Sequence, residues 1–533
     1  MRIPGSPYRL LGALVLLCGP LAAQADRIRI DRVRADVFFL ASPALEGRQS
    51  GARGSEVAIE WVAAEFAKAG LKPAAGTSFK QPVPLIEYRV DSQSSGLTIR
   101  QGEKEQVFRA PGIFAMFPRD FQARAAVVFA GFGITAPELG YDDYAGIDVR
   151  GKIVLVFDDE PQEYDPASIF NGLEMTLHAT FWVKAANAMR HGALAVLLAP
   201  EPNSKHPSLA DLLRRWSGNQ PASPARSQAL DPGSPAVPMV WIDDQVAAGM
   251  LAASGQTPSS LQTSIDRTLK PASMILPEVE AEVRIVLSEQ RRTKTMNVLG
   301  MVEGSDAKLK DETVVICAHY DHLGLESGGA HMPGADDNAS GTAGLVELAR
   351  VFAASPVKPR RTLVFAALGA EERGLLGAHY YALNPPRPLE TTRAVMNLDM
   401  IGRNEAETVE TKGVIEIAGD TSNELNLMAM TFSAGAREAL ERANEPVGLR
   451  LSYKWDREPA LKMLSRSDHF PFLLHGVPAL FFFTGMHPDY HTIRDTPDSL
   501  NYGKLAKILQ LAYRAASEFA DTPNPPRFRA TTR

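Results

Sequence analysis

The 533-residue chain predicts an α/β fold: a mostly parallel central sheet flanked by helices, with a β-rich segment inserted into it. Three observations carry that expectation. Past about residue 290, apolar runs of strand length alternate with helical stretches, the pattern of a parallel sheet covered on both faces. Between about 106 and 274 the texture changes to short β-rich runs and a Pro/Ser-rich surface stretch. Histidines and carboxylates then fall just beyond the later strands, the end at which open α/β sheets bind ligands.

The first 25 residues stand apart. Arg2 and Arg9, an apolar run from Leu10 to Ala23, and the small-residue site Ala23-Gln24-Ala25 have the three parts of a secretory signal peptide. The run is short and broken by Pro20, so it would span a membrane poorly. Leu17 before Cys18 argues against a lipoprotein, and a mature chain is expected to begin near Asp26, in a periplasm or outside the cell. Cleavage removes two arginines and no acid, taking the formal charge from −6 to −8. Such a chain has no basic face for nucleic acid or anionic lipid, and no stable membrane anchor is expected. Cys317 becomes the sole cysteine, so no internal disulfide can form and the fold rests on packing or on metal.

From Asp31 to Leu71 the text reads as helical, with Val57, Ile59, Val62, Ala63 and Phe66 near helical spacing and Gly70 as the stop. The middle segment offers "AAVVFAGFGI", "KIVLVFDD" and "ALAVLLA" as strands and "FWVKAANAMRHG" as a helix. It holds His178, His191 and His206 but no cluster of acids and histidines at ligand spacing. Beyond it, "ETVVICA", "RTLVFAAL", "RAVMNLD" and "ALFFFT" read as buried strands. "ASGTAGLVELARVFAA" and "RGLLGAHYYAL" read as the helices between them, the first with an apolar stripe at Leu345, Leu348, Ala349 and Phe352.

Chemistry collects at the strand ends. His319 and Asp321 follow the first strand; Asp336 and Asp337 precede the next helix; Glu371 and Glu372 follow the second strand. Asp399 closes the third, and His491 comes shortly after the last. Two imidazoles with three carboxylates and no thiolate suit zinc or a similar divalent ion. Five ligands exceed one catalytic zinc but fit two that share a bridging carboxylate, and three carboxylates with one hydroxide would neutralise the pair. An adjacent glutamate pair alone reads as a solvated helix start; it is the company that gives Glu371 and Glu372 meaning. The sequence has no G-x-S-x-G, so a serine hydrolase lacks its nucleophile elbow. His487 and His491 do not form a helical zinc pair, since Pro488 intervenes and the H-E-x-x-H glutamate is missing. His322, His331, His469 and His487 read as supporting or surface histidines, and Cys317 as a buried hydrophobe.

The blocks H-Y-D, G-A-D-D-N-A-S-G, A-E-E-x-G-L-L-G, N-x-D-M-I-G and Y-H-T-x-x-D-T run in this order over residues 313–498. They resemble the di-zinc aminopeptidases of the bacterial leucyl aminopeptidase type, whose clan includes glutamate carboxypeptidase and the non-catalytic transferrin receptor. "GYDDYAGIDVRGKIVLV" resembles the protease-associated domain that many members insert. The resemblance implies a phosphorylase/hydrolase-like zinc peptidase assembled from 26–105 and 275–525, a protease-associated insert at 106–274, and a tail at 526–533. It implies two zinc ions per chain. His319, Asp337 and Asp399 would hold one, Asp337 would bridge, and Glu372 and His491 would complete the other, with a cis bond after Asp337. Glu371 would be the general base toward a metal-activated water, Asp321 would orient His319, and Tyr490 would donate to the oxyanion. The expected substrates are peptides with a free amino end. A carboxypeptidase or dipeptidase is the alternative, and a non-catalytic receptor-like protein is disfavoured by the intact ligand set and Glu371. A carboxypeptidase would need a cationic clamp, and only Arg403, Arg466 and Arg494 lie near the blocks.

Overall fold

The computed structural model describes residues 27–109, 114–115, 117–203, 226–232, 237–326 and 328–531. The expected leader, His206 and much of the Pro/Ser-rich stretch lie outside the described residues. No helix among the described residues is long and apolar enough to cross a membrane.

The strands at the centre are apolar on both faces, and two cores explain why. In Thr313–His319, Val314, Ile316 and Ala318 pack on one side while Val315 and Cys317 pack on the other. Thr362–Leu368 and Thr392–Leu398 divide in the same way. The first core is closed by the helices Ile30–Leu40, Arg53–Ala69, Gly341–Ala354 and Tyr502–Asp521, and the expected stripe of Leu345, Leu348, Ala349 and Phe352 lies in it. The second is closed by Leu376–Leu383 and Phe470–Leu474. Removing a buried leucine such as Leu345 would cost about 2–5 kcal/mol. The Arg53–Ala69 helix ends where Gly70 turns left-handed at φ 81°.

Among the described residues, ten strands make this sheet. Its centre is parallel: Thr313–His319 lies between Thr362–Leu368 and Thr392–Leu398, and Ala479–Phe483 follows. Its flanks are largely antiparallel, through the long pair Lys80–Val90 and Leu287–Val302 on one side and Glu424–Met428 on the other. The parallel character therefore belongs mainly to these four central strands, with one further parallel pair, Glu424–Met428 and Arg450–Ser452, at the edge.

A second sheet, of eight strands among the described residues, draws on Gly96–Gln101, Phe121–Phe129, Ile153–Phe157, Ala195–Ala199 and Met274–Ile285, among others. It reaches outside 106–274 at both ends, because Met274–Ile285 pairs with both Gly96–Gln101 and Phe121–Phe129. Conversely, Ser227–Leu230 leaves this sheet and pairs with Lys80–Val90 at the edge of the first. Texture alone marks where β-rich sequence begins; partners decide which sheet it joins.

Candidate metal centre

The site forms where the parallel strands end. His319 is the last residue of Thr313–His319, Asp399 follows Thr392–Leu398, and Glu371–Arg373 is a tight turn just past Thr362–Leu368. Asp337 lies in the turn Ala335–Ser340 that leads into the Gly341–Ala354 helix, and the Asp337–Asn338 peptide is cis. That turn needs Gly334: at φ 54°, a Cβ there would come within 2.2 Å of the Asp337 carbonyl oxygen and 2.5 Å of the His322 ring. The Asn338 amide donates to Leu398 O at 2.9 Å and accepts from Gly341 N at 2.9 Å, fastening the turn to the strand that presents Asp399.

All five expected ligand side chains come together. His319 Nε2 lies 3.3 Å from Asp337 Oδ1 and 3.2 Å from Asp399 Oδ1. His491 Nε2 lies 2.9 Å from Asp337 Oδ2 and 3.4 Å from Glu372 Oε2. The two oxygens of Asp337 thus face opposite halves of one cluster. Glu371 Oε2 is 4.0 Å from His319 Nε2. Tyr490 stacks on His491, with ring centroids 3.7 Å apart.

Burial sets the electrostatics. It pushes the Glu371 carboxyl well up, with Glu372, Asp399 and Asp468 adding to the rise and His319 opposing it. It acts the same way on Asp337, but contacts with His319, His491 and His322 outweigh it and hold that carboxyl well below the usual range. Burial and Asp337 push Glu372 up, yet His491 and His322 bring it down to about 2. His491 is raised to about 10 despite burial, by Glu372 and Asp337. A divalent pair fits these residues. His491 Nε2 approaches Asp337 without the alignment of a hydrogen bond, and His322 Nε2 and both Asp468 oxygens are buried without a protein partner. Such crowding of carboxylates and idle imidazole nitrogen is relieved by cations.

Several contacts were not foreseen. His322, expected to be a supporting or surface histidine, is fully buried and meets Glu372 Oε1 through Nδ1 at 2.7 Å. One ligand atom each from His322, Asp337 and Glu372 falls within 4.8 Å of the others, as does one each from His319, Glu371 and Asp399. Nothing in H-Y-D-H signals this, since residues three apart in extended chain point to opposite sides. Asp321 acts differently from expectation. Its backbone carbonyl faces His319 Nδ1 at 3.2 Å, while its carboxylate, 4.0 Å from that nitrogen, accepts the Glu371 N–H at 3.1 Å. Ser467 donates to Asp399 Oδ2 at 2.6 Å, and the Asp495 carboxylate accepts the backbone N–H groups of Asp336 and Asp337. His469 stacks on Phe481 and burial lowers its pKa to about 3. His487 Nε2 faces Asp336 Oδ2 at 3.4 Å. In the second sheet region, Asp159, Glu163 and Glu201 converge in the same 4.8 Å sense, correcting the expectation that this segment holds no such group. The third member lies 38 positions beyond the second, a separation that sequence spacing does not reveal.

The fold and these side chains define an α/β protein with a candidate site for divalent metal at the ends of its parallel strands. Residues 297–516 match the model of Peptidase family M28. Among curated relatives, aminopeptidase YwaD of Bacillus subtilis is 25% identical over 407 residues, 74% of this chain and 69% of that protein. A probable zinc metalloprotease of Leptosphaeria maculans is 27% identical over 51% of this chain, which spans 63% of that relative's length. Among solved structures, the aminopeptidase from Aneurinibacillus sp. strain AM-1 shares the fold, with a TM-score of 0.50 and 20% identity over 96% of this chain and 98% of that one.

Proposed function

We propose that this protein is an exported zinc-dependent aminopeptidase that holds two zinc ions and releases residues from the free amino end of peptides. The observation that carries the reading is Asp337, whose two oxygens face His319 on one side and His491 on the other. His319 and Asp399 would hold one ion, Glu372 and His491 the second, and Asp337 both. Bound there, the ions supply Lewis acidity and lower the pKa of water. Glu371 accepts the proton of the attacking water on its carboxylate and returns it to the departing amine. Asp321 fixes the turn that carries Glu371 by accepting its backbone N–H. Tyr490, stacked beside His491, is the proposed donor to the developing oxyanion. We read the 106–274 segment as a protease-associated insert that shapes access to the cleft.

The amino-end assignment has chemical support. An α-amine with a pKa near 8 can approach the metal centre partly neutral. The three arginines near the blocks are committed elsewhere: Arg403 and Arg494 to Asp489, and Arg466 to Glu410. The printed names of the two bacterial relatives agree. One observation favours the carboxypeptidase or dipeptidase alternative: Arg373, next to Glu372, has a buried Nη2 without a partner. A single comparison decides between them. A peptide, its N-acetyl form and its C-terminal amide are offered to the zinc-loaded protein. The amino-end reading expects cleavage of the free peptide and the amide only; cleavage of the acetylated form with loss on the amide assigns the other end.

A further inference from the structure

We propose that Arg48 is a positioning residue of the metal centre, whose guanidinium ties together the two loops that carry His319 and Asp337. The inference rests on the metal-site reading above. Arg48 is 1% exposed and spends its donors on main-chain oxygens. Nε donates to Tyr320 O at 2.9 Å, Nη1 to Leu40 O at 2.5 Å and Pro333 O at 2.7 Å, and Nη2 to Gly334 O at 2.9 Å. Tyr320 sits between His319 and Asp321. Pro333 and Gly334 lead directly into the turn that presents Asp337. One planar fork therefore spans the end of the central strand and the entry to the ligand turn, with the C-terminal end of the Ile30–Leu40 helix as its anchor.

The backbone around Arg48 repeats the connection. Arg48 O accepts His322 N–H at 3.2 Å, and Gly47 O accepts Gly324 N–H at 3.0 Å. Gln49 and His322 form a parallel bridge. Glu46, Gly47 and Arg48 are all left-handed, at φ 50°, 70° and 50°, a conformation that costs the two non-glycine residues and persists only where surroundings enforce it. Glycine is needed at 47, since a Cβ there would meet Gly324 O at 2.2 Å.

Charge and geometry make opposite forecasts for this residue. Burial lowers the guanidinium pKa to about 10, while Asp337, Asp321, Asp495 and Glu372 sustain its charge. A cation this close to a cation site opposes metal binding on electrostatic grounds, so removing the charge alone would tighten binding. Removing the fork frees two loops and would loosen it. Groups that orient ligands without touching the ion typically contribute 10–100-fold in metal affinity.

The test uses the full chain, chelated and then titrated with zinc against a competing chromophoric chelator, and with cobalt read by its visible spectrum. Thermal melts of the metal-free proteins run in parallel. Arg48→Met is expected to bind zinc at least tenfold more weakly, with altered cobalt bands, and Arg48→Lys to recover part of the loss. Unchanged or tighter binding by both folded variants overturns the proposal. So does failure of both to fold, which would make Arg48 a folding residue. Wild-type protein that binds neither metal refutes the metal-site reading instead, and so separates the two failures.

Discussion

At the carboxyl end of the ten-stranded sheet, Asp337 and Glu372 lie against imidazoles, whereas buried carboxylates near the eight-stranded sheet lie against other donors. Asp143 accepts from the N–H groups of Phe132 and Ile134 and from the Tyr141 hydroxyl. Glu160 takes both the N–H and the hydroxyl of Thr176. Lys462 Nζ contacts both Asp158 and Asp159. Burial raises Asp143 to about 7 and Glu160 to about 8, while Asp337 and Glu372 are held low. Where imidazoles outweigh burial, as at Asp337 and Glu372, the carboxyl is held low; where neutral donors cap it, as at Asp143 and Glu160, burial prevails. The partner, more than the carboxylate, determines the chemistry.

The largest expected effect separates two neighbours. Glu371→Gln should retain metal while lowering turnover by about 10²–10⁴-fold, because it removes a proton acceptor and no ligand. Glu372→Gln should lower metal content as well, measured on the same samples by elemental analysis. If Glu371→Gln lost metal and Glu372→Gln kept it, the roles would be exchanged. Asp321→Asn should be milder, about tenfold in kcat with KM little changed, since one amide oxygen can still accept the Glu371 N–H. A loss of metal as large as that of Glu372→Gln would contradict the positioning role.

The smallest effect tests the other side of the comparison. The folded-state pKa of Glu160 lies above the ordinary unfolded value, so the folded protein holds its proton more tightly. Its contribution to stability is present at low pH and is lost as pH rises from about 4 through about 8. Glu160→Gln, which keeps an oxygen for the Thr176 N–H, should flatten that decline by on the order of 2 kcal/mol, read from melting temperatures at pH 5.5 and 8.5. An unchanged pH dependence would show that Glu160 is ionised in the folded state.

The central strands and the polar residues at their ends were legible because each motif residue sits immediately beyond an apolar run. His319, Glu371, Glu372 and Asp399 needed no tertiary information to be placed on one rim. Their supports were not legible. Arg48 reaches the rim from about 270 positions away, and its four acceptors are main-chain oxygens that leave no mark on side-chain identity. The pairing of Ser227–Leu230 with Lys80–Val90 is equally long-range, and nothing in a four-residue strand names its partner. Asp321 shows a subtler limit: its proximity to His319 follows from spacing, but which of its oxygens serves the imidazole depends on where Glu371 N–H falls.

Zinc titration of the chelated protein, following turnover of an unblocked aminoacyl substrate, tests the two-ion account most directly. Two imidazoles and three carboxylates divided by a bridging Asp337 predict full activity at two equivalents per chain, with a rise in melting temperature as metal binds. Full activity at one equivalent, or activity that survives complete metal removal, would contradict it.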